Sequence, residues 1–352
     1  MSASPKAIVA GATGHVGSGL MEQLASDGVA TLGVTRSARP ETGGAHVPID
    51  LLDQEAVRGA LSGAFANVTH VFYCARAPFR DGGGEDIEAN VTMLRNVVEA
   101  ADDMAPLLSD VHIVEGGKWY DFASGSVATP AREDQPLPAT RNFYHAQQEW
   151  LQGFQSGKRW CWSASRPSYV CAVRPGRGRN LVSTLGAYAA ICREKSLVLD
   201  FPGDPAAFHA LTEVTERGLL GRSIVGLTSA SGERNAAFNV TNGDHFTWAE
   251  FWPRLAAMFG MTPGEPRACA LTPWMKEKPS LWADIVRKSS LQQLPLDAVA
   301  DFAFADFLFD QKYDVASDTG KLRAAGFGER IDSLAMLEAH LEEYRALRIL
   351  PK

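Results

Sequence analysis

The sequence predicts an α/β fold, a doubly wound parallel sheet with a smaller, mostly helical lobe. Three observations predict it. Short apolar runs alternate with helical patterns over about the first 170 residues, a glycine-rich turn follows the first run, and the later half is more helical. A chain of 352 residues with 45% hydrophobic and 21% charged residues is ordinary for a globular protein of two domains, or of one α/β unit with an added lobe.

The first half supplies the alternating elements. The predicted strands are Ala7–Ala10, Ala30–Thr35, His46–Ile49, His70–Ala75, His112–Glu115 and Trp160–Ala164. The predicted helices between them are Val16–Ser26, Gln54–Leu61, Ile87–Ala101 and Phe143–Phe154. Strands that alternate with helices over short connections predict a parallel sheet covered on both faces.

The second half reads as mainly helical. The predicted helices are Leu181–Cys192, Leu211–Ile224, Trp248–Phe259 and Leu334–Leu347. Breaks rich in proline and glycine fall at Arg174–Arg179 and Pro202–Pro205. We therefore expect a nucleotide-binding domain over residues 1–172 and a substrate-binding lobe over residues 173–352, with a strand near Ala237–Val240 returning to the main sheet.

Charge and cysteine content exclude several classes of partner. The 34 basic and 41 acidic residues give a net charge of −7, which exerts no long-range attraction on nucleic acid or anionic membranes. We find no apolar run of the roughly 18 residues that a membrane span needs, and no pattern of a secretory signal. The five cysteines form no close pairs, which is typical of reduced thiols in a cytoplasmic protein, and the scattered histidines predict no metal site.

The glycine-rich turn is the strongest local signal. The run Ala7–Ala10 leads directly into Gly-x-x-Gly-x-x-Gly, and an amphipathic helix follows. The first glycine permits a tight turn, the second lets the backbone approach a pyrophosphate, and the third allows close packing of helix on strand. Free N–H groups of the helix then face the phosphates. This context predicts a Rossmann-type dinucleotide site at Gly11, Thr13, Gly14, His15, Val16 and Gly17.

The second strand indicates which dinucleotide binds. Proteins that bind NAD usually carry Asp or Glu about 20 residues past the glycines, to bind the ribose hydroxyls. Here Arg36 and Ser37 stand in that region, and no acid occurs until Glu41. Arg36 is either a solvated surface residue or a charge-assisted partner of a 2′-phosphate. Because it stands where the acid is missing, we expect NADP, with Asp50 and Leu51 near the adenine.

A reductase also needs a group to bind the oxygen that becomes negative when hydride is transferred. In short-chain dehydrogenases a tyrosine, followed four residues later by a lysine, commonly does this. Tyr144 has a suitable position, but Gln148 stands four residues on. Lys118, after the fifth strand, is a compensating candidate, because ligands bind at the carboxyl ends of parallel strands. The alternatives are a tyrosine that packs a helix face and a surface loop lysine.

In the segments around Lys118 and Tyr144 and in several others, the chain resembles the progesterone 5β-reductase and iridoid synthase branch of the extended short-chain dehydrogenases. That branch has lost the helix lysine and carries a lysine in a Thr-Gly-x-Lys-His-Tyr segment. The matching segments here are Gly116–Tyr120, Glu133–Pro136, Asn142–Glu149, Thr69–Tyr73, Met93–Val98, Arg166–Val170, Tyr188–Cys192, Phe201–Gly203, Ala237–Asp244 and Phe246–Trp248. The resemblance spans nearly the whole chain.

The resemblance implies that Tyr144 and Lys118 are the catalytic pair and that Pro167, Tyr169 and Val170 border the nicotinamide. We also place Ala75 in the cofactor site, and a homodimer is a possible assembly. The chain departs from the branch at three places. Val114-Glu115 replaces Gln-Thr, His145 replaces a second tyrosine, and Cys74-Ala75-Arg76 replaces a more hydrophobic segment. These departures make the site more polar, so steroid or iridoid specificity is not carried over.

We therefore expect an NADPH-dependent reductase of small or medium carbonyl compounds, above all one that reduces the C=C bond of an activated enone. The same tyrosine would serve 1,2-reduction of a ketone or aldehyde, or alcohol oxidation. A non-catalytic NADP-binding regulator is the alternative from another class, favoured by the loss of the helix lysine. Phe302, Phe304 and Phe307 are either substrate walls or plain core.

Overall fold

The computed structural model describes residues 6–36, 45–80, 83–125, 127–229 and 234–352. The strands are β1 (Ala7–Ala10), β2 (Thr31–Thr35), β3 (Ala45–Pro48), β4 (His70–Tyr73), β5 (Asp110–Val114), β6 (Cys161–Pro167), β7 (Tyr169–Cys171), β8 (Leu199–Phe201), β9 (Leu211–Thr212), β10 (Val214–Glu216), β11 (Ala236–Val240), β12 (Phe246–Thr247) and β13 (Pro263–Pro266). Within the described ranges, seven strands form one sheet in the order β11-β6-β5-β4-β1-β2-β3. Every neighbouring pair in it is parallel, as the alternation of elements predicts.

The helices cover this sheet and build the lobe. They are α1 (His15–Ser26), α2 (Gln54–Leu61), α3 (Ile87–Met104), α4 (Phe143–Gln155), α5 (Leu181–Glu194), α6 (Pro205–His209), α7 (Arg217–Ser229), α8 (Trp248–Met258), α9 (Leu271–Met275), α10 (Pro279–Lys288), α11 (Leu296–Val299), α12 (Phe302–Phe309), α13 (Gly320–Ala324) and α14 (Ser333–Ala346). Short 3-10 turns occur at Phe65–Asn67, Gly117–Tyr120 and Phe122–Ser124.

The strand order creates a crevice beside β1. From β1 the chain builds outward through β2 and β3, and it then returns to place β4, β5, β6 and β11 on the other side. The reversal lies between β1 and β4, and in doubly wound sheets ligands bind outside the carboxyl ends of the strands at this point. The segments that follow β1, β4, β5 and β6 therefore converge on one edge.

One predicted helix begins later than expected. The stretch predicted as helical over Leu211–Ile224 starts as strands β9 and β10, and α7 begins only at Arg217. The physical reason is that β10 pairs in parallel with β7, and the Glu216 carboxylate accepts the backbone N–H groups of Gly218 and Leu219 at 2.8 and 2.7 Å. These bonds fix the first turn of α7 after the strand.

Helix α7 and strand β11 both come from the second half of the chain and lie against the main sheet. Arg217 in α7 binds Glu22 in α1 at 2.8 Å, and the two helices share one apolar cluster with Val9, Phe72 and Phe238. The sheet is thus assembled from both halves of the sequence, although residues 1–172 supply six of its seven strands. The opposite face packs on α2, α3 and α4 through the cluster around Val97 and Leu151.

The lobe has its own aromatic core. Phe201, Trp248, Trp252 and Phe309 are buried with ring centroids 4.9 to 6.4 Å apart. Helix α5 crosses this core and is buried over Leu181–Cys192. None of the helices in the described part of the chain combines the length and the apolar content that a membrane-spanning helix requires.

Candidate active site

The turn after β1 is built for close backbone approach. Gly11 has φ +80°, a conformation that residues with a Cβ rarely adopt, and a Cβ there would lie 2.8 Å from the backbone of Ala75. A Cβ on Gly17 would collide with the Gly11 carbonyl. The glycines therefore bring the end of β1, the start of α1 and the segment after β4 into one narrow cradle. This cradle fits a dinucleotide pyrophosphate at a helix N-terminus.

Positive charge surrounds the start of α1. Arg174 donates to the Ser18 hydroxyl, Arg177 donates to the Thr13 carbonyl at 3.4 Å, and Arg217 also reaches Ser18 at 3.3 Å. Burial, reinforced by these arginines, lowers the pKa of His15 to about 4, so its imidazole is neutral. Among the described residues, the buried His15 Nε2 has no hydrogen-bond partner. These groups are chemically suited to a bound phosphate.

The other expected cofactor residues lie around the same edge. Arg36 is exposed directly after β2. Asp50 lies after β3, where its carboxylate accepts the Leu52 N–H at 3.0 Å, and Leu51 is buried beside it. Val16 belongs to the first turn of α1. Ser37 lies outside the described residues.

The segment after β6 borders the cradle. The backbone of Val170 lies next to His15, where it partly opposes the lowering of the His15 pKa. The Pro167 carbonyl lies 3.6 Å from where a Cβ on Gly116 would stand, and that Cβ would be 3.4 Å from the Tyr144 hydroxyl. Burial raises the pKa of Tyr169, whose ring lies 6.3 Å from that of Phe304. The structure thus brings Pro167, Val170 and Tyr144 to one side of the glycine turn.

The first turn of α4 positions Tyr144. Asn142 caps the helix, because its side-chain oxygen accepts the Tyr144 N–H at 3.0 Å. The Asn142 N–H donates to His145 Nδ1 at 3.0 Å, which completes a capping box. The Asn142 amide donates to the Lys118 carbonyl at 2.9 Å, and His145 Nε2 lies 2.9 Å from the Trp119 carbonyl. These bonds tie the helix of Tyr144 to the turn of Lys118.

The side chain of Lys118 has a carboxylate partner. Its ammonium group lies 2.8 Å from Glu85 Oε2, and about half of the Lys118 side chain is exposed. The sequence suggests a direct role beside Tyr144, whereas the structure pairs this ammonium with Glu85. Lys118 and Tyr144 are thus linked through Asn142 and the backbone, with the ammonium at the surface of the site.

A buried ion pair underlies this turn. Arg166 Nε donates to Glu115 Oε2 at 2.8 Å, and both side chains are at most 2% exposed. The guanidinium also reaches Tyr120 and Gln148, each at 3.1 Å, and stacks on Trp119 at 3.7 Å. Gln148, the residue that replaces the helix lysine, is therefore used to bind Arg166.

The electrostatics keep the Tyr144 hydroxyl protonated. Burial raises the pKa of Tyr144 to about 12; the positive charges of Arg76 and Arg179 oppose the shift, and Glu85 and Glu115 reinforce it. A protonated phenol is a hydrogen-bond donor, which is the form needed to bind an oxygen that gains negative charge.

Sequence reasoning missed several of these roles. In the sequence, Arg166 stands out only as part of a segment that resembles the branch. No motif near Glu85 or Arg179 predicts that their charges act on Tyr144. Of the three phenylalanines, Phe302 is buried core, Phe307 is exposed, and Phe304 packs under the Arg179 guanidinium at 4.6 Å. Only Phe304 among these three has contacts that link it to the site.

The parallel sheet, the glycine cradle beside β1 and the tyrosine at the start of α4 define an oxidoreductase of the short-chain dehydrogenase/reductase superfamily. A family model described as the PRISE-like Rossmann-fold domain matches residues 47–351. The chain belongs to that family.

Curated relatives support this assignment. A 3-oxo-Δ4,5-steroid 5β-reductase of Arabidopsis thaliana is 31% identical, covering 98% of this chain and 93% of the relative. An (S)-8-oxocitronellyl enol synthase, ISY1 of Nepeta cataria, gives the same values. The short chain dehydrogenase gsfE of Penicillium aethiopicum is 30% identical over 81% of this chain and 80% of its own length.

Solved structures show the same fold at low sequence identity. A short-chain dehydrogenase/reductase superfamily protein from Agrobacterium tumefaciens with bound NAD has a TM-score of 0.67 at 15% identity, covering 97% of this chain and 98% of its own. The UDP-glucose 4-epimerase of Thermus thermophilus in complex with NAD has a TM-score of 0.67 at 16% identity, covering 96% and 98%. At this identity the likeness concerns the fold alone.

Proposed function

We propose that this protein is an NADPH-dependent reductase of activated enones, which adds hydride to the β-carbon of an α,β-unsaturated carbonyl compound. The observation that carries the proposal is a protonated Tyr144 hydroxyl next to Gly116, at the same sheet edge as the glycine cradle. The names of the relatives, a steroid 5β-reductase among them, support the same class of reaction.

In the proposed reaction, bound NADPH supplies the hydride. As the β-carbon is reduced, negative charge collects on the carbonyl oxygen, and the Tyr144 hydroxyl donates a hydrogen bond to it. The enolate then takes a proton from solvent at the α-carbon and becomes the saturated carbonyl product. Asn142 and His145 hold Tyr144 in place through the helix cap. Lys118 is the second catalytic group of the proposal. The hydrogen bond from the Asn142 amide to its backbone carbonyl keeps it beside this cap.

Arg36 supports the choice of NADPH. It is exposed at the carboxyl end of β2, where a ribose phosphate of a bound dinucleotide would lie, and no Asp or Glu occupies that position. The neutral His15 and the arginines around Thr13 and Ser18 suit the pyrophosphate.

The test is NADPH consumption with a panel of cyclic and linear enones, ketones and aldehydes, with the products identified. One oxyanion donor is worth about 2.7–4 kcal/mol, so we expect Tyr144→Phe to lower kcat roughly a hundredfold or more. Lys118→Ala should lower it as well. Tyr313→Phe removes a hydroxyl from an exposed tyrosine and should leave the rate unchanged.

The products separate the alternatives. Saturated ketones support 1,4-reduction, whereas allylic alcohols would replace it with 1,2-reduction. Tight NADPH binding without turnover of any member of the panel would favour a regulator. Full activity of Tyr144→Phe would overturn the assignment of this tyrosine.

A further inference from the structure

Three cationic side chains come from loops near Tyr144: the charges of Arg76 and Arg179 act on its hydroxyl, and Asn142 ties the turn of Lys118 to its helix. Arg76 follows β4, Lys118 follows β5, and Arg179 lies in the loop before α5. The Arg76 guanidinium lies 3.9 Å over the Phe79 ring and 6.0 Å from the Phe143 ring, which is 4.2 Å from the ring of Tyr144. Arg179 lies over Phe304, which packs against Tyr169. Both guanidinium groups thus pack on aromatic rings that are themselves in contact with residues of the site.

Carboxylates of the described chain do not balance these charges. Glu85 pairs with Lys118 at 2.8 Å, and Asp301 pairs with Arg179 at 3.2 Å. Within the described ranges, no carboxylate oxygen lies within 4.0 Å of a nitrogen of the Arg76 guanidinium, so Arg76 forms no ion pair there. Among the described residues, three cations thus face two carboxylates, and Glu115 is already paired with Arg166.

The two arginines also repel each other. Burial lowers the pKa of Arg76, Tyr144 and Glu85 oppose this shift, and the positive charge of Arg179 lowers it further. Both arginines act on Tyr144 as well. An anion bound between the two guanidinium groups would relieve this repulsion, and planar guanidinium groups match carboxylates with paired hydrogen bonds.

We propose that the substrate carries a carboxylate, which Arg76 and Arg179 bind while the unsaturated carbonyl group lies at Tyr144. This inference rests on the proposed function and specifies its substrate class. The resembling branch carries a more hydrophobic segment at the position of Arg76. The arginine of this chain would therefore favour an anionic substrate over an apolar one.

The first experiment compares an enone acid with its methyl ester. We expect kcat/KM for the acid to exceed that for the ester at least tenfold in the wild type. Arg76→Gln should raise KM for the acid roughly tenfold or more and change KM for the ester much less, so that the acid-to-ester ratio of kcat/KM falls about tenfold. Arg179→Gln should act in the same direction, and Arg76→Lys should restore part of the preference.

The matched control is Arg80→Gln. Arg80 is an exposed arginine of the same loop that pairs with Asp86 at 3.0 Å, so its loss should not change the preference for the acid. Equal kcat/KM for acid and ester in the wild type, or an equal change for both in Arg76→Gln, would overturn the inference. Reduction of the ester alone would agree with the proposed reductase activity and would contradict only the proposal that the substrate is an anion.

A binding experiment keeps the inference testable without turnover. Titration of a saturated keto acid and its methyl ester into the protein–NADP⁺ complex measures the preference directly. Tighter binding of the acid in the wild type, lost in Arg76→Gln, supports the carboxylate site even where no enone is reduced. Equal binding of acid and ester contradicts it.

Discussion

At the scale of single residues, the buried pair of Glu115 and Arg166 distinguishes this site. Glu115 Oε2 accepts from Arg166, whereas Glu115 Oε1 is buried with no partner among the described residues. Burial raises the pKa of Glu115 to about 7, and the Arg166 charge opposes that shift. The carboxyl group therefore holds a proton more tightly in the folded than in the unfolded protein, where its pKa is about 4.3.

This difference predicts how stability depends on pH. Between about pH 4.5 and pH 7 the folded state binds more protons at Glu115, so the free energy of unfolding falls as pH rises, by at most about 1.4 kcal/mol per pH unit from this group. Glu115→Gln cannot titrate and should lose this contribution. Urea unfolding at pH 5, 6, 7 and 8 measures the difference between wild type and variant.

The control for this measurement is Glu149→Gln, since the Glu149 side chain is 73% exposed. Its unfolding free energy should run parallel to that of the wild type across the pH range. If the curve of Glu115→Gln also runs parallel, Glu115 does not titrate between pH 4.5 and 7 and the assigned shift is wrong.

At the scale of elements, the N-terminus of α4 determines the site. Asn142 caps the helix at Tyr144, and the same side chain binds the Lys118 carbonyl. Burial lowers the pKa of His145, so the imidazole stays neutral and Nδ1 can accept the Asn142 N–H. The residue that departs from the branch at position 145 is therefore part of the cap.

We expect Asn142→Ala to destabilise the protein by about 1 kcal/mol, the typical contribution of a helix cap. It should also lower kcat roughly tenfold or more, because a small displacement of a catalytic group is costly. Asp332→Ala is a suitable comparison, since Asp332 caps α14 through the Ala335 N–H at 2.9 Å, away from the site. Unfolding experiments and enzyme kinetics on both variants separate lost stability from lost positioning.

Asp332→Ala should lose similar stability and keep its kcat. Equal kcat in the two variants would show that the cap of α4 has only a structural role.

At the scale of the whole molecule, the cofactor cradle joins the two halves of the chain. Arg174 and Arg177 come from the loop after β7 and reach Ser18 and Thr13 at the glycine turn. The Arg174 N–H donates to the Tyr344 hydroxyl of α14 at 2.8 Å. We therefore expect a dinucleotide bound at this cradle to stabilise the sheet and the lobe together.

Ligand binding should raise the unfolding temperature of the whole protein. At a concentration of 100 times Kd, a ligand adds about 2.7 kcal/mol of stability. We expect NADP⁺ to raise Tm more than NAD⁺ at equal concentration, and Arg36→Ala to abolish the difference by weakening NADP⁺ alone. Thermal unfolding with each dinucleotide measures this effect. Arg58→Ala, on α2, is the control, and a preference that survives in Arg36→Ala would exclude Arg36 as its source.

Much of the fold is predictable from the sequence because its signals are local. The predicted Gln54–Leu61 helix has the bounds seen in the structure, and Phe143–Phe154 differs from α4 by one residue. Hydrophobic periodicity and caps define such elements within a few residues of chain. The start of α7 was predicted wrongly because it depends on the pairing of β10 with β7, which are distant in sequence.

The sequence by itself determined the α/β class, through the alternation of apolar runs and helical patterns, and the glycine-rich turn, a short motif whose chemistry is contained in its own residues. It also offered Tyr144 and Lys118 as a candidate pair. Only the tertiary structure decided the partners of these groups. It paired Lys118 with Glu85, bound Arg166 to Gln148, and brought Arg76 and Arg179 close enough for their charges to act on Tyr144. The physical reason is that charges act through space, and the folding of the sheet sets which distant residues meet at its carboxyl edge.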